Sequence, residues 1–267
     1  MAKIKEPPVS SDILLTTVAL SANAGLSVSL AGRRIWVDAL HRLPEGRIDG
    51  YSHVTEAMWE KMKKDSAFAD PDLICFTHCH EDHYAEEMAI QALDTFKKTN
   101  LILPEPLSYA SRFPRTMVLS GRKCTTHIGD ITLTFLRLPH EGPQYANVIM
   151  YGLVISAYGR NIFIAGDCET ASPLLADMLR NELKDTPIHL AVMPFPWMTL
   201  RRGRAFLEQH IHPAHLLLYH IPFAEDDVNN YREAAEQSVA AFMQAHGRDH
   251  MDVRLLEYPM QTELVLL

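Results

Sequence analysis

The chain has 267 residues, 47% of them apolar and 22% charged, with a formal net charge of −8 at pH 7. That length suits one large core; the acidic balance argues against a general nucleic-acid coat, and no apolar run approaches the ~20 residues needed to span a bilayer. No signal-peptide core opens the sequence and the four cysteines form no CxxC pair, so a cytoplasmic location with reduced thiols is expected.

Taken in order, the runs 13–20 (ILLTTVAL) and 25–39 (GLSVSLAGRRIWVDA) read as two or three strands, with a hairpin-type turn at Ala31, Gly32 and Arg33. Residues 53–68 read as a helix that Pro71 follows. DLICF, 72–76, is a short buried strand. Residues 84–100 form an amphipathic helix with acids early and lysines late, as the helix dipole prefers. Strands follow at 101–104, 116–120 and 131–138, then a hairpin over 147–167 turning at Tyr158, Gly159 and Arg160. The rest alternates: helix 172–185, strand 188–195, helix 200–211, strand 215–220, helix 229–246, and closing strands at 253–258 and 263–267. No repeat or Gly/Ser linker divides the chain, so 1–267 reads as one domain of layered α/β type, a pair of sheets with helices outside.

Metal-ligand side chains recur just past the apolar strands. DLICFT runs into His78, Cys79, His80, Glu81, Asp82 and His83; other strands end in Asp38, His140, Asp167 and His220. Ligands at strand ends have rigid support. In an extended segment, side chains two apart point the same way, so His78 and His80 can grip one ion while Cys79 points elsewhere. The turn into the next helix lets Asp82 and His83 reach a second ion. His140 would complete the first site and His220 the second, with Asp167 bridging. A lone strand-end histidine is more often a hydrogen-bonded or surface residue; it is the six-residue cluster that turns the reading to metal. Asp38 is either an acceptor that orients a ligand imidazole or a turn residue. Imidazole and carboxylate suit zinc first, and also manganese or iron, and the chain's 14 histidines accord with a metal protein.

The pattern HxHxDH, carried by His78, His80, Asp82 and His83, is similar to the signature of the metallo-β-lactamase superfamily. LPHEGP, IAGDCE and LLLYHIPF follow in that family's order, and NAGLSVSLAGRRIWVDA resembles its opening hairpin. The resemblance covers roughly residues 12–267 and implies a four-layer αββα sandwich with two metals at one edge, held by His78, His80 and His140 and by Asp82, His83 and His220, with Asp167 shared. Within the superfamily the chain looks most like the L-ascorbate-6-phosphate lactonase branch, which often carries a histidine where Asn23 stands here.

A metal-activated hydroxide on such a site attacks carbonyl or phosphoryl centres, so hydrolysis of an ester, lactone or phosphodiester in a small or lipid-like substrate is expected, with Asp82 and Asp167 as catalytic carboxylates. Tyr145, Trp197 and Arg202 are candidate substrate contacts, Arg202 toward an anion; core packing for Trp197 and a solvated helix face for the arginines are the structural alternatives. Cys79 and Cys168 read as small buried fillers more readily than as reactive thiols. The competing functions are a di-iron redox protein and a non-catalytic metal-binding protein on the same fold. No nucleic-acid partner is expected; a homo-oligomer is compatible with the sequence.

Overall fold

Residues 14–42, 50–247 and 250–267 are described by the computed structural model. The first predicted strand therefore begins one residue outside the described part, at Ile13. β1 (Leu15–Leu20), β2 (Leu26–Leu30) and β3 (Arg33–Val37) pair antiparallel. β4 (Leu73–Cys75), β5 (Asn100–Leu103) and β6 (Thr116–Val118) continue from β3 in parallel. The second sheet repeats this plan. β7 (Lys123–Ile128), β8 (Ile131–Leu138), β9 (Met150–Ala157) and β10 (Arg160–Ile164) are antiparallel, and β11 (Leu190–Pro194), β12 (His215–Tyr219) and β13 (Asp252–Leu255) continue in parallel. β14 (Thr262–Leu266) returns to pair antiparallel with β1, giving two seven-stranded mixed sheets.

Period-two alternation sets the layers. On β12, Leu217 and Tyr219 join the core between the sheets, while Leu216 and Leu218 join a second cluster on the outer face. β11 behaves the same way, with Leu190 and Val192 facing one side and Ala191 and Met193 the other. Strands buried on both faces must be apolar throughout, which is why these runs lack alternation in sequence. The outer cluster is closed by α3 (Pro173–Asn181), α4 (Pro196–Thr199), α5 (Arg201–Phe206) and α6 (Tyr231–His246), through Leu175, Met178, Trp197, Phe206 and Phe242. On the first sheet Trp36 meets Trp59 of α1 (Glu56–Met62) and Phe96, at the end of α2 (Glu86–Thr95), edge to face at 6.4 and 5.5 Å.

Three local expectations shift. The first helix begins at Glu56, three residues after the expected start, because the Thr55 side chain accepts the Met58 N–H at 3.2 Å and caps it there. β7 was not expected: its sequence, KCTTHI, is half-exposed along an edge and shows no apolar face. The helix expected over 200–211 is α-helical only to Phe206 and continues as a π-helical turn over Leu207–Ile211.

Candidate metal centre

The centre lies where strand ends from both sheets meet. β3 exits into Asp38 and β12 into His220, both with positive φ, +53° and +64°. Such backbone costs on the order of 1–3 kcal/mol per residue. The adjoining leucines of β12, each at most 1% exposed, contribute roughly 1.5–3 kcal/mol apiece through burial, so the core can hold both strand ends in place. Gly166, at φ +57°, makes the turn before Asp167, and a Cβ there would sit 3.1 Å from the Thr77 Cβ. Backbone bonds from Glu141 N–H to Asp167 O (2.8 Å) and from Glu169 N–H to Pro139 O (2.9 Å) lace the loop bearing His140 to the one bearing Asp167. The Asn23 carbonyl accepts the His220 N–H at 3.1 Å. Its own amide side chain is buried without a hydrogen-bond partner.

Hydrogen bonds then orient the imidazoles. Asp38 accepts the Thr77 N–H (2.7 Å) and the Thr77 hydroxyl (2.6 Å), and its Oδ2 also accepts from His83 Nδ1 at 2.9 Å. Because the Thr77 hydroxyl donates to Asp38, it accepts from His78 Nδ1, 2.9 Å away. His140 Nδ1 donates to the Glu141 carbonyl at 2.8 Å. Each of these rings is thereby turned with Nε2 toward the same space, and the buried His140 Nε2 has no hydrogen-bond partner.

Two groups of ligand atoms result, each drawn to within 4.8 Å: His78, His80 and His140; and Asp82, His83, Asp167 and His220. Asp167 stands between them. Its Oδ2 lies 3.3 Å from His83 Nε2, 3.6 Å from His140 Nε2 and 3.9 Å from His78 Nε2, and its Oδ1 lies 3.4 Å from His220 Nε2. Asp82 Oδ2 is 3.3 Å from His220 Nε2. The donor set and the partnerless His140 Nε2 fit divalent cations well.

The electrostatics match. Burial pulls His83 toward neutrality, but Asp167, Asp82 and Asp38 outweigh it and raise its pKa well above the ordinary value. His220, buried but facing Asp167 and Asp82, is raised to about 9. Burial and the neighbouring His83 push His78 well below the ordinary value. Burial disfavours the charged forms of Asp82 and Asp167, yet His83 and His220 hold both below the usual carboxylate range. Asp38, Asp82 and Asp167 thus favour positive charge at this spot, of the kind a divalent cation would supply.

A cavity of about 540 Å³ opens beside this centre, with His140, Asp167 and His220 in its wall. Tyr145 lines it and lays its ring 4.9 Å from that of His80 and 4.7 Å from that of His140. Trp197 lines it too, while packing on Phe206 at 5.5 Å. Arg202 does not reach the lining: it binds Glu141 Oε1 at 2.9 Å, and Glu141 Oε2 accepts the Thr170 N–H at 2.6 Å. Cys168 lines the cavity as a buried thiol whose pKa burial pushes well up; Cys79 faces Glu105 and is likewise raised, by burial first. Sequence reasoning missed Tyr51, whose ring stands 5.8 Å from that of His220 at the cavity wall. Burial, with Asp82 and Asp167 nearby, pushes its phenol up to about 12. Tyr51 follows no strand and belongs to no motif, so no sequence signal marks it. Among the described residues, His210, His212 and His215 belong to no group of converging ligand atoms: His210 packs on Phe206, and His215 lies 3.4 Å from Asp252.

The sequence pattern described as the beta-lactamase superfamily domain matches residues 33–248. No curated protein matches the chain. Among solved structures, Igni18, a metallo hydrolase from Ignicoccus hospitalis, is 11% identical, with 94% of this chain and 98% of that chain covered at a TM-score of 0.63. An isothiocyanate hydrolase from Delia radicum gut bacteria is 15% identical, with 94% and 100% covered at 0.64. CmlA, a diiron β-hydroxylase from Streptomyces venezuelae, is 13% identical; 98% of this chain spans 55% of that one at 0.62. At such identities these likenesses speak for the fold. The chain belongs to the beta-lactamase superfamily, its two helix-flanked mixed sheets are the metallo-β-lactamase sandwich, and its His/Asp cluster is a candidate site for divalent metal.

Proposed function

We propose that the chain is a metal-dependent hydrolase in which His78, His80 and His140 hold one divalent cation, Asp82, His83 and His220 hold a second, and Asp167 serves both. The observation that carries this reading is the position of Asp167, one oxygen within 4 Å of His78, His83 and His140 and the other facing His220. This reading takes 1–267 as one catalytic domain, with zinc the first expectation and manganese or iron the alternatives. When bound, such ions acidify a water to near neutral pKa and supply positive charge for the oxyanion that develops on the substrate.

The chain's own residues do the rest. Asp38 and Thr77 fix which nitrogens of His83 and His78 are free. Asp82, whose Oδ2 lies 3.3 Å from His220 Nε2, would accept a proton from the attacking water and return it to the leaving oxygen. Tyr51, Tyr145, Phe195, Leu200 and Tyr231 give the cavity an aromatic and apolar wall, and no Lys or Arg lines it among the described residues. That lining favours a small uncharged ester or lactone over a phosphodiester. It supports the lactonase-like resemblance in reaction type and speaks against a phosphate-bearing lactone as the substrate.

The test is metal content per chain after purification without added metal or chelator, followed by turnover of neutral lactones and esters beside phosphodiesters. About two zinc or manganese ions with lactone or ester turnover supports the proposal. About two irons with oxygen consumption would replace it with a redox function. Metal-free protein that cannot be reconstituted would retire it.

A further inference from the structure

Apart from the residues of the strand-end centre, three more ligand atoms converge, from Glu208, His246 and His250. Glu208 belongs to the π-helical turn after α5, and His246 is the last residue of α6. Gly247 ends that helix at φ +75°, with its N–H on the Met243 carbonyl at 2.9 Å. His250 lies three residues further on. Its ring stacks on that of His246, centroids 5.1 Å apart and planes 26° from parallel. Phe242 backs both rings, at 4.7 and 5.9 Å. Both Nε2 atoms point to one oxygen: Glu208 Oε1 is 3.9 Å from that of His246 and 3.8 Å from that of His250.

We propose that Glu208, His246 and His250 form a binding site for one divalent transition-metal cation of the zinc type, separate from the strand-end centre and independent of its reading. The separations are too long for hydrogen bonds. They are slightly wider than the ~3.4 Å between ligands placed ~2.1 Å from a tetrahedral ion. Side chains between 34% and 47% exposed can close that gap by a small movement. An ion pair alone accounts for the geometry less well. At these distances no hydrogen bond joins either imidazole to Glu208 Oε1, whereas one dication would satisfy both ring nitrogens and the carboxylate together. Two imidazoles with a single carboxylate select zinc-like ions over calcium or magnesium, which prefer oxygen.

The site would clip the C-terminus of α6 to the turn that follows α5. Beside it runs a groove of about 810 Å³ lined by Arg204, Gln237 and Thr199, among others. Thr199 also lines the cavity over the strand-end centre.

The experiment compares the full chain with the variant His246→Ala/His250→Ala, both dialysed against the same saturating zinc and analysed for zinc per chain. The expected result is one zinc fewer in the variant, with a smaller zinc-dependent rise in Tm. Failure of the strand-end reading would lower both totals and leave the difference intact, so the two proposals are separable. Glu208→Gln, which preserves shape, should weaken zinc binding at this site by at least ~10-fold, covering the case in which the double variant folds poorly. Equal zinc content in the chain and the double variant, or unchanged zinc affinity in Glu208→Gln, would overturn the proposal.

Discussion

At the strand-end centre, His78, His83 and His140 each have Nδ1 engaged by a defined acceptor, and those acceptors are fixed by the two sheets. Glu208, His246 and His250 use the same donor chemistry on a π-helical turn, a helix end and the chain beyond it, with the Phe242 ring behind the imidazoles. The first arrangement is buried, and its carboxylates and imidazoles shift one another strongly; the second is half-exposed to water. The difference concerns support. A ligand set held in advance loses little entropy on binding and suits chemistry, whereas one that must close around its ion suits a clip.

The sharpest way to break that comparison is Asp167→Ala. It removes the oxygen shared by both groups and should lower turnover by ~10³-fold, about 4 kcal/mol in the barrier, with loss of bound metal. His246→Ala/His250→Ala should change turnover by less than about twofold, as expected of distant sites; a fall as large as that of Asp167→Ala would erase the distinction. Next is Asp38→Asn, which disturbs the acceptor of both Thr77 and His83. Metal affinity at the centre should drop ~10–100-fold in a chain that still folds, as read by competition with a chelator.

A third test uses pH. In the metal-free protein the pKa of His220 is raised to about 9, above its value in the unfolded chain, and that of His83 is raised as well. The resulting stability is fully present below about pH 6.5 and is lost as pH rises through about 9. Chelator-treated protein should therefore show a Tm that falls across that window. Metal-loaded protein should lose its metal on acidification instead, because protons compete for the same nitrogens. A flat Tm in the metal-free protein would mean that the imidazoles are not held charged. Among changes at the centre, a smaller effect is expected of Tyr51→Phe, which keeps the ring beside His220 and removes one hydroxyl. It should cost at most ~1 kcal/mol, about fivefold, chiefly in KM.

Much of this centre was legible in the sequence because its candidate ligands obey a local rule. Each follows an apolar run, and a strand end is a position that pattern alone can locate. The same rule pointed to Asp38, which the structure makes the acceptor for His83. It failed where the pattern was weak. KCTTHI reads as polar because β7 lies at a sheet edge, and the helix after Leu200 gave no warning of its π-helical turn. Arg202 looked like an anion contact because its charge was visible and its partner Glu141, 61 residues away, was not.

By itself the sequence determined the order of most strands and helices, the αββα layering through its resemblance, and which strand ends carry ligand-type side chains, since backbone periodicity and local donor spacing are properties of neighbouring residues. The tertiary structure alone decided which of those ends meet. It placed Asp167 between two histidine groups, set Tyr51 against His220, and brought Glu208 to within 4 Å of His246 and His250. Those contacts depend on how the sheets stack and the helices close over them, and long-range packing of that kind leaves no periodic trace in the chain.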